Sequence, residues 1–327
     1  MLYTGGTLGM VETPRGLAPG ADLADWLDRM LTGTELADVI DLASFDRLID
    51  SSTTTPEDWQ AIVSQVWTRR DDSDAFVVLH GTDTMAYTSA ALAYALTGLD
   101  RPVVLTGSQY PLGVVGSDAA PNVTGALRAA AGGHLRGVAI FFGHQLLAGT
   151  RVTKASSWAF GGFDSPNAPA LAQAGAPWQW SETAVEGCGW TNPRPYRRCD
   201  VAVLSLAPGI TAQRVAALLD PLPEAVIVRA YGVGNIPQEE PGLVEVLAET
   251  IDSGVPVVVN SQCSQAHVML GHYAAGYELD RAGAIGAGDM TLEATYAKLV
   301  FLLSQGCDAE QVRRWMPTSI AGEVSEE

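Results

Sequence analysis

An α/β fold, with a mostly parallel sheet flanked by helices in a larger N-terminal domain and a smaller α/β C-terminal domain, is what this sequence predicts. Three observations carry that expectation. Short apolar runs rich in branched residues recur along the chain, each continuous rather than alternating, as strands covered on both faces require. Helix-length segments separate them. A Pro- and Gly-rich stretch over residues 164–198 then breaks the rhythm once.

Taken in order, the first strand is short, because only Met1, Leu2 and Tyr3 precede a glycine turn. Three residues span only ~10 Å at about 3.3 Å per residue, so a truncated strand, or a natural start upstream, is expected. Thr55-Pro56-Glu57-Asp58 reads as a helix start, with Pro56 in the first turn. Buried strands are expected at Val77 to Leu79, Val103 to Leu105, Val138 to Phe142, Val201 to Leu206, Ala225 to Val228 and Val255 to Val259. Leu92, Leu96 and Leu99 mark a stripe on one helix, and Leu292, Tyr296, Leu299 and Leu303 mark another near the end. The prolines and glycines after position 164 place a connector at 179–198, between an N-terminal domain over 1–178 and a C-terminal domain over 199–327.

Composition narrows the function. With 47% hydrophobic and 17% charged residues, the chain folds into a globular protein. Its 37 acidic and 19 basic residues leave a formal net charge of −18, which argues against a nucleic-acid partner, since phosphate contacts need a basic patch. The opening MLYTGGTLGM lacks the pattern of a secretory leader, and no apolar run is long enough to span a bilayer. Cys188, Cys199, Cys263 and Cys307 are scattered without CxxC spacing and fit reduced cytoplasmic thiols. His267 and His272, five apart, share no helical face and form no HExxH pattern, so no metal is expected.

Chemistry concentrates where strands end in small or hydroxylated residues, the edge of an open α/β sheet that binds ligands. Thr4-Gly5-Gly6-Thr7-Leu8-Gly9 is one such place; its glycines admit close backbone approach and set Thr7 on a turn. It matches neither a phosphate loop nor a dinucleotide fingerprint. His80-Gly81-Thr82-Asp83-Thr84 is the second, ahead of a helix whose N-terminal amides suit an oxyanion or carboxylate. Asp50-Ser51-Ser52 is the third. Read singly, Asp83, Ser51 and Ser52 could equally be helix caps.

Together the motifs are specific. TGGTLGM and LHGTDTMAYTSAAL resemble the two signature motifs of bacterial L-asparaginases. IDSSTTTPEDWQ, TGSQYPL, VTKASSWAFGGFDSPN, YGVGNIPQ, SQC and GAGDMTLEATYAKLVFLLSQ extend the resemblance, to the cytoplasmic type I branch, across nearly the whole chain. The resemblance implies hydrolysis of L-asparagine to L-aspartate and ammonia through an acyl-enzyme, with no cofactor. It implies Thr7 as the attacking hydroxyl and Thr82, Asp83 and Lys154 as a relay that serves hydrolysis of the acyl-enzyme; from the residues alone, either threonine could attack. A threonine is a poor nucleophile until a neighbour takes its proton, and a lysine between apolar walls can have its pKa lowered enough to act as that base. Lys154 is one of only two lysines, with Lys298. Asp50, Ser51, Ser52, Thr82 and Asp83 are the implied contacts to the amino-acid substrate. Thr153, Arg229 and Cys263 match an effector pocket, and Asn235 a residue that reaches a neighbouring subunit, in a homodimer or homotetramer.

One departure matters. Where the family's loop after TGGT carries a tyrosine, this chain reads Gly16-Leu17-Ala18-Pro19. A lost acid–base group costs a factor of ~10² to 10⁴. Leu17 therefore implies either a slow enzyme, with Thr13 the nearest substitute hydroxyl, or a protein that binds the amino acid without turning it over.

Overall fold

The computed structural model describes residues 1–14, 16–182, 187–271 and 274–325, with the side chains of 17–19, Ala274 and Ala275 excepted. The chain divides into two units, Met1–Val185 and Glu186–Glu327. The stretch expected as a connector is shared between them. Gln179–Trp180 is an edge strand of the first unit's sheet, residues 187–198 belong to the second unit, and 183–186 lie outside the described residues.

In the first unit the strands are β1 (Leu2–Tyr3), β2 (Met10–Thr13), β3 (Gly16–Pro19), β4 (Ala43–Ser44), β5 (Phe76–Leu79), β6 (Val103–Thr106), β7 (Val138–Phe142), β8 (Gln145–Ala148), β9 (Thr153–Lys154), β10 (Phe163–Asp164), β11 (Ala172–Gln173) and β12 (Gln179–Trp180). Eight of them form one sheet in the order β12-β11-β8-β7-β6-β5-β1-β4. From β4 to β7 every pairing is parallel, and from β7 to β12 every pairing is antiparallel. β1 pairs through Leu2 with Val78 and through Tyr3 with Leu79, so it lies between β4 and β5 with only two residues in register. The remaining strands make two small hairpins, β2 with β3 and β9 with β10.

Helices α1 (Leu23–Leu31), α2 (Pro56–Arg69), α3 (Met85–Ala95) and α4 (Ala119–Ala131) complete this unit. Leu23, Leu27 and Leu31 of α1 share a core with Val123, Ala126 and Leu127 of α4 and with Val77, Leu79 and Val104 of the sheet. Side chains alternate along a strand, so Phe76 and Val78, also buried, turn to the opposite face. That is why these strands read as unbroken apolar runs. Thr55 opens α2, with its amide and hydroxyl both donating to the Asp58 carboxylate at 2.9 Å.

One expectation is displaced. α3 starts at Met85 and ends at Ala95, leaving Leu96 at its cap and Leu99 beyond it. Ten of its residues are buried, including small ones on every side, so it has no polar face for a leucine stripe to oppose. The stripe rule assumes a surface helix, and α3 is an interior one.

The second unit has four parallel strands, β13 (Val201–Ser205), β14 (Ala225–Ala230), β15 (Val257–Ser261) and β16 (Ile285–Gly286), in that spatial order. Helices α5 (Ala212–Leu218), α6 (Leu243–Asp252), α7 (Ala274–Ala282), α8 (Leu292–Ser304) and α9 (Ala309–Trp315) accompany them. The expected α8 stripe does not mark its buried side: Leu299 and Leu303 are buried, but Leu292 and Tyr296 are the two residues of the helix that are only partly so, because α8 too is an interior helix. Among the described residues, no helix is long and apolar enough to cross a membrane.

Inside α8, Lys298 is fully buried and meets the equally buried Glu323 at 2.5 Å. Its ammonium also donates to the carbonyls of Met316 and Thr318, at 2.9 and 2.7 Å. The Glu323 carboxylate accepts in turn from the amides of Ile320 and Ala321. Burial pulls the lysine below its ordinary value while the carboxylate opposes that shift. The pair pins the segment after α9 onto α8. Lys298→Met strands the carboxylate and is expected to cost about 3–5 kcal/mol, measurable as a lowered urea midpoint with unchanged slope.

Candidate active site

Three loops follow β1, β4 and β5 at the carboxyl end of the parallel strands, and hydrogen bonds close them into a triangle. Thr4 donates from its amide and hydroxyl to Leu79 O, at 3.1 and 2.8 Å. The Ile49 amide donates to Thr4 O at 2.6 Å, and the Thr84 hydroxyl donates to Ser51 O at 2.8 Å.

Two glycines set how close the loops come. Gly5 has φ 135°, and a Cβ there would fall 2.3 Å from Ile49 O. Gly6 has φ 97°, and its Cβ would fall 2.6 Å from the amide nitrogen of Gly81. Both conformations are ones that L residues rarely adopt, so the sequence needs glycine twice here. Gly6 and Gly81 are therefore in backbone contact, and each is followed at once by a threonine.

Thr7 opens a single 3₁₀ turn, Thr7–Gly9, and is half-buried. Among the described residues its hydroxyl has no hydrogen-bond partner, which leaves it available to a ligand. Thr82 is 7% exposed. Thr84 occupies the N-cap position of helix α3 without a side-chain cap bond, and the Asp83 carboxylate just before it turns to another partner. That partner is Lys154, carried on the β9–β10 hairpin. Its ammonium donates to Thr82 Oγ1 at 2.9 Å and to Asp83 Oδ1 at 2.7 Å. An amine this close to a hydroxyl is within range for proton exchange. Thr82, Asp83 and Lys154 are thus brought together, and the glycine contact brings the backbone just before Thr7 against the backbone just before Thr82.

Ser51 is buried, and a Cβ on Gly81 would lie 2.4 Å from its hydroxyl oxygen. Ser52 is exposed. Asp50 has a task within its own loop: its carboxylate accepts from the Ser52 amide at 3.0 Å and caps the 3₁₀ turn Ser51–Thr53. Leu17 lies opposite Glu12 in the β2–β3 hairpin by its backbone, and its side chain is outside the described residues. The Thr13 hydroxyl donates to Gly16 O at 2.6 Å in the same hairpin.

The effector and interface candidates divide between the units. Thr153 is on β9 in the first unit. Arg229 is on β14 in the second, its guanidinium 3.4 Å from the carbonyls of both Ser261 and Gln262, with Nε buried and unpaired. Cys263 is exposed and donates its amide to the Ser261 hydroxyl at 3.1 Å. Asn235 exchanges backbone hydrogen bonds with Tyr231. His267 lies among the described residues, and His272 outside them.

Sequence reasoning gave His80 no role. It is buried at the end of β5, where its Nδ1 contacts Gly81 O at 2.7 Å and its Nε2 meets the Thr88 hydroxyl at 3.1 Å. A carbonyl only accepts, so Nδ1 carries the proton and Nε2 accepts from Thr88. The imidazole thereby fixes the peptide that leads into Thr82. A lone polar residue closing the apolar run Phe76–Leu79 was the available signal.

Comparisons with known proteins give the family. The family model "Asparaginase, N-terminal" matches residues 1–186, and "Glutaminase/Asparaginase C-terminal domain" matches residues 200–316. L-asparaginase 1 of Escherichia coli (strain K12) is 41% identical, over 99% of this chain and 96% of that protein. The L-asparaginase of Thermococcus kodakarensis is 35% identical, over 99% of this chain and 98% of its own. The crystal structure of L-asparaginase I from Vibrio cholerae superposes with a TM-score of 0.90 at 36% identity, covering 99% of both chains. A two-unit α/β chain with a threonine–lysine site is the class that the fold defines. The chain belongs to the asparaginase family.

Burial also pulls the His80 imidazole below its ordinary value of 6.5, against the Gly81 carbonyl and a distant Asp58. The folded chain keeps it neutral where the unfolded chain takes up a proton, so stability present above about pH 6.5 is lost as pH falls below that. His80→Gln is expected to shrink the stability difference between pH 7.5 and pH 5, as read from paired urea titrations.

Proposed function

We propose that this chain is an L-asparaginase that converts L-asparagine to L-aspartate and ammonia in the cytoplasm, as a homodimer or homotetramer. The single observation that supports the mechanism is the Lys154 amine held between Thr82 Oγ1 and Asp83 Oδ1. Thr7 Oγ attacks the side-chain amide carbon and forms an ester as the C–N bond breaks. The threonine's proton passes through a base to the departing nitrogen, which leaves as ammonia. Water then attacks the ester. Lys154, in its neutral form, takes the water's proton through Thr82, and the returning proton restores Thr7. Asp83 remains charged, holding Lys154 and receiving the substrate's ammonium. Ser51 and Ser52 offer hydroxyls and amides to the α-carboxylate, while Asp50 serves by shaping their turn. Arg229 and Cys263 in the second unit, and separately Thr153 in the first, are effector-binding candidates, and Asn235 is an interface candidate.

The test is ammonia release from L-asparagine. Thr7→Ala, Thr82→Ala and Lys154→Met are each expected to lower kcat by a factor of ~10² to 10⁴, with substrate still bound. Thr7→Ala with wild-type turnover would overturn the assignment of the nucleophile. Leu17→Tyr is expected to raise kcat by restoring a hydroxyl to the loop. Unchanged turnover in that variant would show that the loop hydroxyl is dispensable here.

A further inference from the structure

The loop that follows β6 has no part in the chemistry proposed above, yet it touches all three segments that carry that chemistry. A Cβ on Gly107 would lie 2.3 Å from His80 O, two residues before Thr82. The Leu112 amide donates to Leu8 O at 3.1 Å, one residue after Thr7. Between these contacts, the Gln109 side-chain amide donates to Ala159 O at 3.0 Å and approaches Ser156 O at 3.5 Å. Those carbonyls belong to the turn that joins β9 to β10.

That turn is tied closely to Lys154. The amides of Ala155 and Ser156 donate to Gly162 O at 2.9 and 3.1 Å, and Phe163 pairs with Lys154 across the hairpin. A Cβ on Gly162 would lie 2.7 Å from Gln109 Nε2, so the amide fills the space inside the turn. The rings of Tyr110 and Phe160 meet edge to face at 5.8 Å just outside it.

The base of the loop is equally fixed. The buried Asp118 carboxylate accepts from the amides of Gln109 and Tyr110, at 2.9 and 3.1 Å. Asn122, buried one turn further along α4, donates to Asp118 Oδ2 and to Gly107 O and accepts from the Gly143 amide. A two-residue strand such as β9 offers little rigidity of its own. The hairpin's register against Thr82 therefore depends on what holds its turn.

We propose that Gln109 is a positioning residue that clamps the 155–162 turn and so sets Lys154 against Thr82, an inference that rests on the threonine–lysine reading of the site. The clamp acts through donors alone, because both its targets are carbonyl oxygens. Only a donor at this position can serve.

The test compares Gln109→Met, which keeps the length and loses the donor, with Gln109→Glu, which donates only when protonated. Misplacement by about an ångström costs up to ~10²-fold in rate. Gln109→Met is expected to lower kcat by roughly ten- to a hundredfold with KM little changed, and to speed amide hydrogen exchange over 155–162 while β5–β7 stay protected. Gln109→Glu is expected to match it at neutral pH and to recover turnover, relative to wild type, as pH falls toward 5. Unchanged exchange over the turn in Gln109→Met overturns the clamp, whatever the activity. Faster exchange with wild-type kcat overturns its role in positioning, as does a Gln109→Glu profile parallel to that of Gln109→Met. Equal ammonia release by wild type and Lys154→Met is a different failure: it removes the site reading itself.

Discussion

Backbone contact between Gly6 and Gly81 is the constraint on which the site depends. Two strands that run side by side in a parallel sheet end in loops that diverge unless something draws them together. Here neither loop has a side chain at the meeting point, and Gly6 adopts a φ of 97° that a side chain would resist. The loops close to van der Waals distance as a result. The next residue on each side is a threonine, so spacing along two separate stretches of chain becomes proximity in space. The triangle of hydrogen bonds through Thr4, Ile49 and Thr84 then holds that approach.

Much of this was legible beforehand. Continuous apolar runs at 77–79, 103–105 and 138–142 became neighbouring parallel strands because a sheet covered on both faces has no polar side to betray a period of two. The antiparallel edge made by β8, β11 and β12 was not legible. β11 and β12 contribute two residues each, within the Pro- and Gly-rich stretch over 164–198 whose second half, with β12, read as a connector. The α3 stripe misplaced its helix because alanine, serine and threonine can be buried as completely as leucine. At the site, the ordered motifs pointed to Thr7, Thr82, Asp83 and Lys154. They assigned no role to His80, although it stands inside the second motif, and gave no hint of the Asp118–Asn122 network, whose members bind backbone groups that no motif displays.

Lys154 spans a gradient of solvent access. At one end is the Asp83 side chain, 60% exposed, and at the other the residue Thr82, 7% exposed. The Lys154 side chain as a whole is 18% exposed. Water screens the ion pair, so its attraction is modest, whereas the contact with the hydroxyl lies in a drier setting where hydrogen bonds are stronger. The carboxylate thus serves better as a guide for the amine than as a source of stability. The Asp83 carboxylate holds the amine and does not cap α3, whose N-cap position is Thr84.

The distribution of lysine has a practical corollary. This acidic chain has two, and one of them is sealed inside α8 against Glu323. Amine-directed reagents, whether dyes, polymers or resin linkers, will find a single side chain within reach, and it is the one that borders Thr82. Conjugating or immobilising the protein through the exposed thiol of Cys188 would leave that amine untouched.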